Sequence, residues 1–333
     1  MKFKILITGR SIAREAIAVM ENAACEVAFG QEGDNSTAIA RKVRAFQPDG
    51  LIVRKGRITR QVLEASDRLK VVCKHGVGVD NIDIQAATDL GIPVMITASA
   101  NLESVAEHTL GLILTLLRNI HRQHAYTRNG GWDKSNYEGE DLEGKTLGLV
   151  GLGRIGRRLC ELVQPFRIKT LAYDPHLRAD QFPPTVQRVS DLQTMLPLVD
   201  ILSIHCPLTP ETNKLIGQNE LALLKQNACL INTARGAIVD EAALVKALQN
   251  GAIRGAALDT LQREPPDADN PLFRMENVIV TNHVGGSSRE ALISMGVDAV
   301  KNILDVLNGS LPHRSNIINP QTFEDKTWQE EHT

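Results

Sequence analysis

Short apolar runs alternate with amphipathic stretches over the first 97 residues of the chain. Each run consists largely of Val, Ile and Leu, which is typical of parallel strands that are buried on both faces. The stretches between the runs have the periodicity of helices. This part of the chain is therefore predicted to form an open α/β sheet, with strands at residues 5–8, 27–29, 51–53, 71–73 and 94–96.

The pattern changes after residue 100, where one long amphipathic helix is predicted over residues 101–121. Its apolar stripe is wider than contact with one domain face requires, which indicates a helix that crosses between domains or subunits. The stretch that follows, RNGGWDKSNYEGEDLEG, is polar and rich in glycine, as loops are. We expect Trp132 and Tyr137 to pin this loop to a neighbouring surface.

The alternation of strands and helices resumes at Lys145, with six strands predicted at residues 146–150, 170–173, 201–205, 229–232, 255–258 and 278–280. This number and rhythm are typical of a complete dinucleotide-binding sheet. A last helix, over residues 288–308, can return to the first sheet. We therefore predict two doubly wound α/β domains: a Rossmann domain, residues 99–286, inserted into a discontinuous flavodoxin-like substrate domain, residues 1–98 and 287–333.

Composition agrees with two domains, because 333 residues exceed one comfortable hydrophobic core. The formal net charge of -2 gives no attraction to nucleic acid or to an anionic membrane, so we expect a small-molecule partner and neither of those two. The five cysteines form no CxxC pair and the chain starts without a secretory signal pattern, which predicts a cytoplasmic protein. No spacing of potential ligands predicts a metal site.

A glycine motif, GLGRIG, joins the apolar run TLGLV to the start of a helical pattern. Gly151 permits the tight turn, Gly153 lets the backbone approach a pyrophosphate, and Gly156 permits close packing of the helix on the strand. Arg154 and Ile155, between the last two glycines, begin a helix whose N-terminus faces the phosphates. Because glycines in such a turn can also be purely structural, the motif alone is weak.

An acidic residue near the end of the next strand strengthens the prediction. Asp174 lies about 20 residues beyond the glycines, where a carboxylate accepts hydrogen bonds from the adenosine ribose and repels a 2'-phosphate. The sequence therefore predicts NAD as the cofactor in preference to NADP. Arg178, close by, is the feature that favours NADP.

Three polar residues follow later predicted strands: Arg235, Glu264 and His283. Taken singly, they have plain explanations as a surface charge, a turn residue and a partner of backbone groups. Together they suit the reduction of a 2-keto acid, because a guanidinium can hold its carboxylate and carbonyl in a bidentate manner. His283 can protonate the carbonyl oxygen as hydride arrives, and Glu264 would fix the imidazole tautomer.

With these residues the sequence resembles the D-isomer-specific 2-hydroxyacid dehydrogenase family over nearly its whole length. The blocks that match, in order, are KHGVGVDNID, SVAEHTLGLIL, LEGKTLGLVGLGRIGRRL, HCPLTPET, INTARGAIVDEAAL, ALDTLQREPP and NPLFRMENVIVTNHVGG. One departure is Asn282, where the family usually has proline before its histidine. Losing that ring frees the backbone of the loop, so we expect His283 to be held more loosely or by a new amide hydrogen bond.

The resemblance implies a catalytic set of Arg235, Glu264 and His283, and a homodimer built on the long helix and the Trp132 loop. It also implies further contacts: the amides of Val77 and Gly78 at the substrate carboxylate, Asp259 at the nicotinamide amide, Thr233 and Ala234 around the nicotinamide, and Cys206, Pro207 and Thr212 beside the adenosine half, with Gly285 as a further cofactor-binding residue.

Within that family the first domain is most similar to phosphoglycerate dehydrogenases that lack a C-terminal regulatory domain. Arg54 and Lys74 fall on substrate positions there, and Lys134 falls on a basic residue that the partner subunit donates. Such a cluster suits a dianionic phosphate, although two changes from arginine to lysine lose the fork geometry. Glyoxylate, hydroxypyruvate and sugar-derived acids remain alternatives, and a corepressor-like protein that senses NADH is the alternative from another class.

Overall fold

The computed structural model describes residues 2–31, 33–135 and 137–324. The chain divides into two compact units. The first unit comprises Met1–Asn101 and Ser287–Thr333, and the second comprises Leu102–Gly286. The first boundary thus lies three residues beyond the one given by the sequence, at 98/99, and the second coincides with it.

In the described residues the strands are β1 (Lys4–Ile7), β2 (Glu26–Phe29), β3 (Gly50–Val53), β4 (Val71–Lys74), β5 (Val94–Met95), β6 (Thr146–Val150), β7 (Lys169–Tyr173), β8 (Val186–Arg188), β9 (Ile201–Ile204), β10 (Cys229–Asn232), β11 (Gly255–Leu258) and β12 (Val278–Val280). The α-helices are α1 (Arg14–Asn22), α2 (Ser36–Phe46), α3 (Arg60–Leu63), α4 (Ile84–Asp89), α5 (Leu102–Leu117), α6 (Ile120–Arg128), α7 (Arg154–Val163), α8 (Leu192–Met195), α9 (Gln218–Leu223), α10 (Glu241–Gln249) and α11 (Arg289–Asn308).

The first unit contains a parallel sheet in the order β2-β1-β3-β4-β5. This is the flavodoxin-like strand order that the sequence predicts. Successive residues of β1 point to opposite faces: Ile5 and Ile7 pack with Met20 of α1 and Ile303 of α11, whereas Leu6 packs with α2 and α3. Both faces are covered, which explains the unbroken apolar runs of these strands.

The second unit contains a parallel sheet in the order β12-β11-β10-β9-β6-β7-β8. Six of these strands have the order typical of a Rossmann sheet, and β12 adds a seventh. The prediction of six strands is therefore wrong by one, because it omits β8. This short edge strand buries only Val186 and leaves its two polar residues exposed, so it lacks the apolar pattern of the others.

The predicted helix over residues 101–121 is two helices in the structure, α5 and α6. They are separated at Asn119, which has a left-handed backbone conformation with φ 48°. In the loop that follows, the Tyr137 hydroxyl donates to the carbonyl oxygen of Arg118 at 2.5 Å, so this ring pins the loop to its own unit. Trp132, in contrast, is 88% exposed.

Helix α11 begins after Ser288, whose hydroxyl caps it by accepting a hydrogen bond from the Ala291 amide at 3.0 Å. It ends at Gly309, which has φ 82°. These ends agree with the predicted helix over residues 288–308. In the three described ranges, every helix is too short or too polar to cross a lipid bilayer.

Candidate functional site

The predicted site residues of the second unit follow six strands of one parallel sheet. The glycine loop follows β6, and Asp174 follows β7. The segment that begins at Cys206 follows β9, and Arg235 follows β10. Glu264 and His283 come after β11 and β12. Because all these strands are parallel, their carboxyl ends lie on the same edge of the sheet, where ligands of such sheets bind.

The glycine loop has the geometry of a phosphate cradle. Gly151 has φ 94°, and a Cβ atom there would lie 2.8 Å from the Cys206 amide nitrogen. A Cβ atom on Gly156 would lie 2.7 Å from the Gly151 carbonyl oxygen, whereas one on Gly153 would have no neighbour within 4 Å. The loop thus packs closely on the protein side and is open at Gly153, where helix α7 begins. These residues fit a dinucleotide pyrophosphate.

Asp174 is tied to the same loop. Its carboxylate accepts hydrogen bonds from the Leu152 amide at 2.9 Å and the His176 amide at 3.0 Å. These hydrogen bonds fix the position of the Asp174 carboxylate, which is predicted to bind the ribose, relative to the glycine loop. One of the two donors, the Leu152 amide, belongs to the glycine motif itself. The spacing of residues in the sequence does not reveal this hydrogen bond.

The segment after β9 is braced by Thr212. Its hydroxyl donates to the Pro207 carbonyl oxygen at 2.7 Å and accepts from the Thr209 amide at 2.7 Å. Burial, aided by the charge of Asp174, raises the pKa of the Cys206 thiol to about 11. At neutral pH Cys206 is therefore a neutral, half-buried thiol. Such a thiol can pack against an adenosine but is a poor nucleophile.

The turn after β10 carries Thr233, Ala234 and Arg235 and is held by Asn232. The buried Asn232 side chain accepts from the Ala234 amide at 3.0 Å and donates to the Arg235 carbonyl oxygen at 2.9 Å. Thr109 of α5 gives its hydroxyl proton to the Val105 carbonyl oxygen, so Thr233 is the donor in their 2.9 Å contact. The sequence did not indicate Asn232 as part of the site.

Arg235 is half-buried, and its Nη1 donates to the Ala234 carbonyl oxygen at 2.7 Å. The next residue must be small, because a Cβ atom on Gly236 would lie 1.9 Å from the Leu261 carbonyl carbon. This close approach places the turn after β10 against the segment that leads to Glu264.

The side chains of Glu264 and His283 are joined by a hydrogen bond in the structure. The His283 Nδ1 lies 2.8 Å from Glu264 Oε2, and Glu264 Oε1 accepts from the Leu261 amide at 3.1 Å. The side chains remain accessible, at 46% for His283 and 39% for Glu264. Because Nδ1 donates to the carboxylate, Nε2 is the ring atom left to exchange a proton with a ligand. The pairing that the sequence predicts is present.

The loop that carries His283 depends on Asp259, which is 2% exposed. Its carboxylate accepts from the amides of Val284 at 2.9 Å and Gly285 at 2.8 Å, and from the Thr281 hydroxyl at 2.5 Å. Burial acts to raise the pKa of this carboxyl, but hydrogen bonds from His108, Thr281 and the two amides outweigh it and hold the pKa well below its ordinary value. The family resemblance implies a contact of Asp259 with the nicotinamide amide, whereas nothing in the sequence pattern indicates His108 or Thr281 as site residues.

Asn282 is exposed, and its amide donates no hydrogen bond within the ranges that the structure describes. The residues on either side of Asn282 anchor the loop instead. The Thr281 amide donates to the Leu258 carbonyl oxygen, and the His283 amide donates to the Asp259 carbonyl oxygen. Of the two expectations for this position, a new hydrogen bond from the Asn282 amide is not found in the described residues, and a looser hold on His283 stays a prediction.

The predicted substrate residues belong to the first unit, where Lys74 ends β4 and Arg54 follows β3. Lys74 Nζ donates to Asn81 Oδ1 at 3.1 Å, and an Arg54 nitrogen donates to the Ser11 carbonyl oxygen. Burial lowers the pKa of the Arg54 guanidinium, and no carboxylate in the described residues forms an ion pair with it. Burial and then the charges of Arg54 and Lys74 lower the pKa of His75 to about 4.

Val77 and Gly78 are half-buried and lie in the loop after β4, three and four residues beyond its last residue, Lys74. Neither amide donates to a protein acceptor within residues 2–31, 33–135 and 137–324. Two consecutive free amides can bind a carboxylate. In the same ranges, no group of three potential metal ligands comes together.

Comparison with known proteins identifies relatives of the whole chain. The family model for the D-isomer specific 2-hydroxyacid dehydrogenase, NAD binding domain, matches residues 110–285. A D-3-phosphoglycerate dehydrogenase from Methanocaldococcus jannaschii is 40% identical over 319 residues, which are 95% of this chain and 59% of the relative. The chain thus spans about three-fifths of the length of that curated relative.

Two solved structures share the fold over nearly the full length of both chains. An NAD-dependent formate dehydrogenase from Staphylococcus aureus in complex with NAD has a TM-score of 0.83 and 31% identity, covering 95% of this chain and 98% of its own. An NADPH-dependent glyoxylate/hydroxypyruvate reductase from Sinorhizobium meliloti in complex with NADP and malonate has a TM-score of 0.83 and 28% identity, covering 98% and 100%.

Proposed function

Since the chain belongs to the D-isomer specific 2-hydroxyacid dehydrogenase family, we propose that it interconverts a D-2-hydroxy acid and its 2-keto acid with NAD as the cofactor. The observation that carries the proposal is the pair of His283 and Glu264, whose nitrogen and oxygen are 2.8 Å apart. This pair follows strands of the same sheet as the glycine loop. An exposed imidazole held by a carboxylate, at the same sheet edge as a dinucleotide cradle, is suited to moving a proton during hydride transfer.

The residues divide the work of the reaction. NAD, when bound, supplies or accepts the hydride. In the direction of reduction, His283 donates the proton on Nε2 to the carbonyl oxygen, and Glu264 stabilises the imidazolium through Nδ1. Arg235 binds the carboxylate and carbonyl of the substrate through its planar guanidinium. The amides of Val77 and Gly78 bind the remaining carboxylate oxygen.

A second group of residues holds the cofactor. Gly151, Gly153 and Gly156, with Arg154 and Ile155, bind the pyrophosphate at the start of α7. Asp174 accepts from the ribose hydroxyls. Cys206, Pro207 and Thr212 line the adenosine half, and Thr233, Ala234, Asp259 and Gly285 surround the nicotinamide end.

For the substrate we propose 3-phosphoglycerate. The relative named D-3-phosphoglycerate dehydrogenase supports this choice. So does Arg54, a half-buried guanidinium that no described carboxylate neutralises, in the same unit as Lys74. A phosphate dianion would satisfy such a charge. The glyoxylate/hydroxypyruvate reductase is less similar, at 28% identity, and glyoxylate and hydroxypyruvate carry no phosphate for these two cations.

We also propose that the protein acts as a homodimer in the cytoplasm. Large apolar side chains on and just after α6 support the dimer, since Ile120 is 52%, Tyr126 45% and Trp132 88% exposed in the single chain. Lys134 lies in the same exposed loop. Five scattered cysteines without a CxxC pair support a reducing compartment.

The proton-transfer role is tested with His283→Ala. We expect kcat for keto acid reduction to fall by roughly 10²- to 10⁴-fold, while the Kd for NADH, measured by fluorescence, changes less than about twofold. His313→Ala, which removes an exposed imidazole from the first unit, is the matched control and should retain wild-type kcat. Retention of kcat in His283→Ala would refute the role.

A further inference from the structure

His283 has an unusual backbone conformation for a residue that must act with precision. Its φ is 57°, in the left-handed region, which is sterically unfavourable for a residue with a Cβ atom. The side chain is 46% exposed, so packing in a core does not hold it. Hydrogen bonds on the backbone must therefore maintain this conformation.

These hydrogen bonds converge on one residue. The amide of His283 donates to the Asp259 carbonyl oxygen at 2.8 Å, and the next two amides, of Val284 and Gly285, donate to the Asp259 carboxylate. A Cβ atom on Gly285 would lie 2.9 Å from Asp259 Oδ2, so the loop wraps closely around this carboxylate. The position of Asp259 thus sets the position of the left-handed turn.

The buried carboxylate is itself held by two side chains from separate elements. Thr281 has a single hydroxyl proton, which it donates to Asp259 Oδ1 at 2.5 Å. Its oxygen must therefore accept in the 3.2 Å contact with His108 Nε2, so the Nε2 of His108 carries a proton. The same Nε2 lies 3.5 Å from Asp259 Oδ1. His108 belongs to α5, and 173 residues separate it from Thr281.

We propose that His108 and Thr281 are positioning residues for the reaction: they fix the Asp259 carboxylate, which in turn holds His283 in its left-handed turn. Neither side chain is required to touch the substrate. Without the Thr281 hydroxyl the carboxylate loses its shortest hydrogen bond, and His108 loses the nearer of the two oxygen atoms that its Nε2 faces. The turn at His283 can then relax to ordinary backbone angles. This change would move Nε2 of His283 away from the keto oxygen of the substrate. The inference rests on the proposed function of His283.

The experiment compares Thr281→Val, which removes the hydroxyl at constant shape, with Thr281→Ser, which keeps it. For Thr281→Val we expect kcat to fall about tenfold or more with the KM for NADH within about twofold of wild type. We also expect amide hydrogen exchange in peptides covering residues 281–286 to accelerate at least about tenfold. Thr281→Ser should restore both. Thr170→Val, which removes a buried hydroxyl from β7 of the same sheet, is the control and should change neither.

His108 supplies a second, independent pair of variants. His108→Gln keeps an N–H donor at similar reach and should stay near wild type, whereas His108→Leu should resemble Thr281→Val. The positioning role would be overturned if Thr281→Val and His108→Leu both showed wild-type amide hydrogen exchange. It would also be overturned if both variants of an active enzyme kept the wild-type kcat. If the wild type reduces no keto acid, the proposed function fails, and hydrogen exchange alone still decides whether the two residues hold the turn.

Discussion

Asp174 places one negative charge at the carboxyl end of β7, and this charge decides the expected choice between NADH and NADPH. Because its carboxylate also accepts from two amides, Asp174→Asn, which keeps an acceptor oxygen, is a cleaner test than removal of the side chain. We expect the ratio of kcat/KM for NADH over NADPH to fall by at least about tenfold, since repulsion of a 2'-phosphate is lost. Asp269→Asn removes the charge of an exposed carboxylate elsewhere in the same unit and should leave this ratio unchanged. A wild-type ratio in Asp174→Asn would contradict the role of Asp174 in selecting NADH.

Residues whose chemistry is unusual for their place in the chain could be predicted from the sequence, and residues that act through distant partners could not. Arg235, Glu264 and His283 follow apolar strands, so the sequence marks them as polar groups at a sheet edge. His108 lies in an amphipathic helix, where a polar residue is ordinary. Its role becomes visible only when folding brings it within 3.2 Å of Thr281.

At the scale of the elements, the contact between two turns is set by one glycine. A Cβ atom on Gly236 would lie within 2.4 Å of three backbone atoms of Leu261 and Gln262, which cannot move as a flexible side chain would. We therefore expect Gly236→Ala to push the turn that carries Arg235 away from the segment that leads to Glu264. The free energy of unfolding should fall by roughly 2–3 kcal/mol, and kcat should fall by at least about tenfold. Thermal unfolding and steady-state kinetics provide the two measurements.

Gly251→Ala is the control for this prediction. Gly251 has φ 63° and open space around its missing Cβ atom, so alanine there is strained without a collision. Its cost should be about 1 kcal/mol, with kcat unchanged. If Gly236→Ala were no worse than Gly251→Ala, the close approach of the two turns would not matter to the site.

Strands buried on both faces could be predicted because their short runs of Val, Ile and Leu alternate with helical patterns, as they do in parallel sheets. The edge strand β8 could not, since it buries one residue of three. The division of the long helix into α5 and α6 also escaped prediction, because the break is at Asn119 rather than at a proline. Tertiary packing decides both features.

At the scale of the whole molecule, the exposed side chains around α6 predict the assembly. Trp132→Glu places a charge on the most exposed of them, and we expect it to convert a dimer into a monomer in sedimentation velocity experiments. Phe273→Glu, at a 46% exposed ring outside this segment, should remain a dimer. A wild-type monomer, or a dimer that survives Trp132→Glu, would show that this surface is not the interface.

Reduction of a phosphorylated 2-keto acid with NADH is the reaction that we propose for this chain. The most direct measurement is stopped-flow oxidation of NADH with 3-phosphohydroxypyruvate, the keto acid of 3-phosphoglycerate, beside hydroxypyruvate, which differs only by the phosphate, and glyoxylate. We predict that kcat/KM is highest for the phosphorylated acid, by about 100-fold or more, because Arg54 and Lys74 bind its phosphate. Faster reduction of hydroxypyruvate or glyoxylate would contradict the choice of substrate, and no oxidation of bound NADH with any of the three acids would contradict both this substrate and its glyoxylate and hydroxypyruvate alternatives.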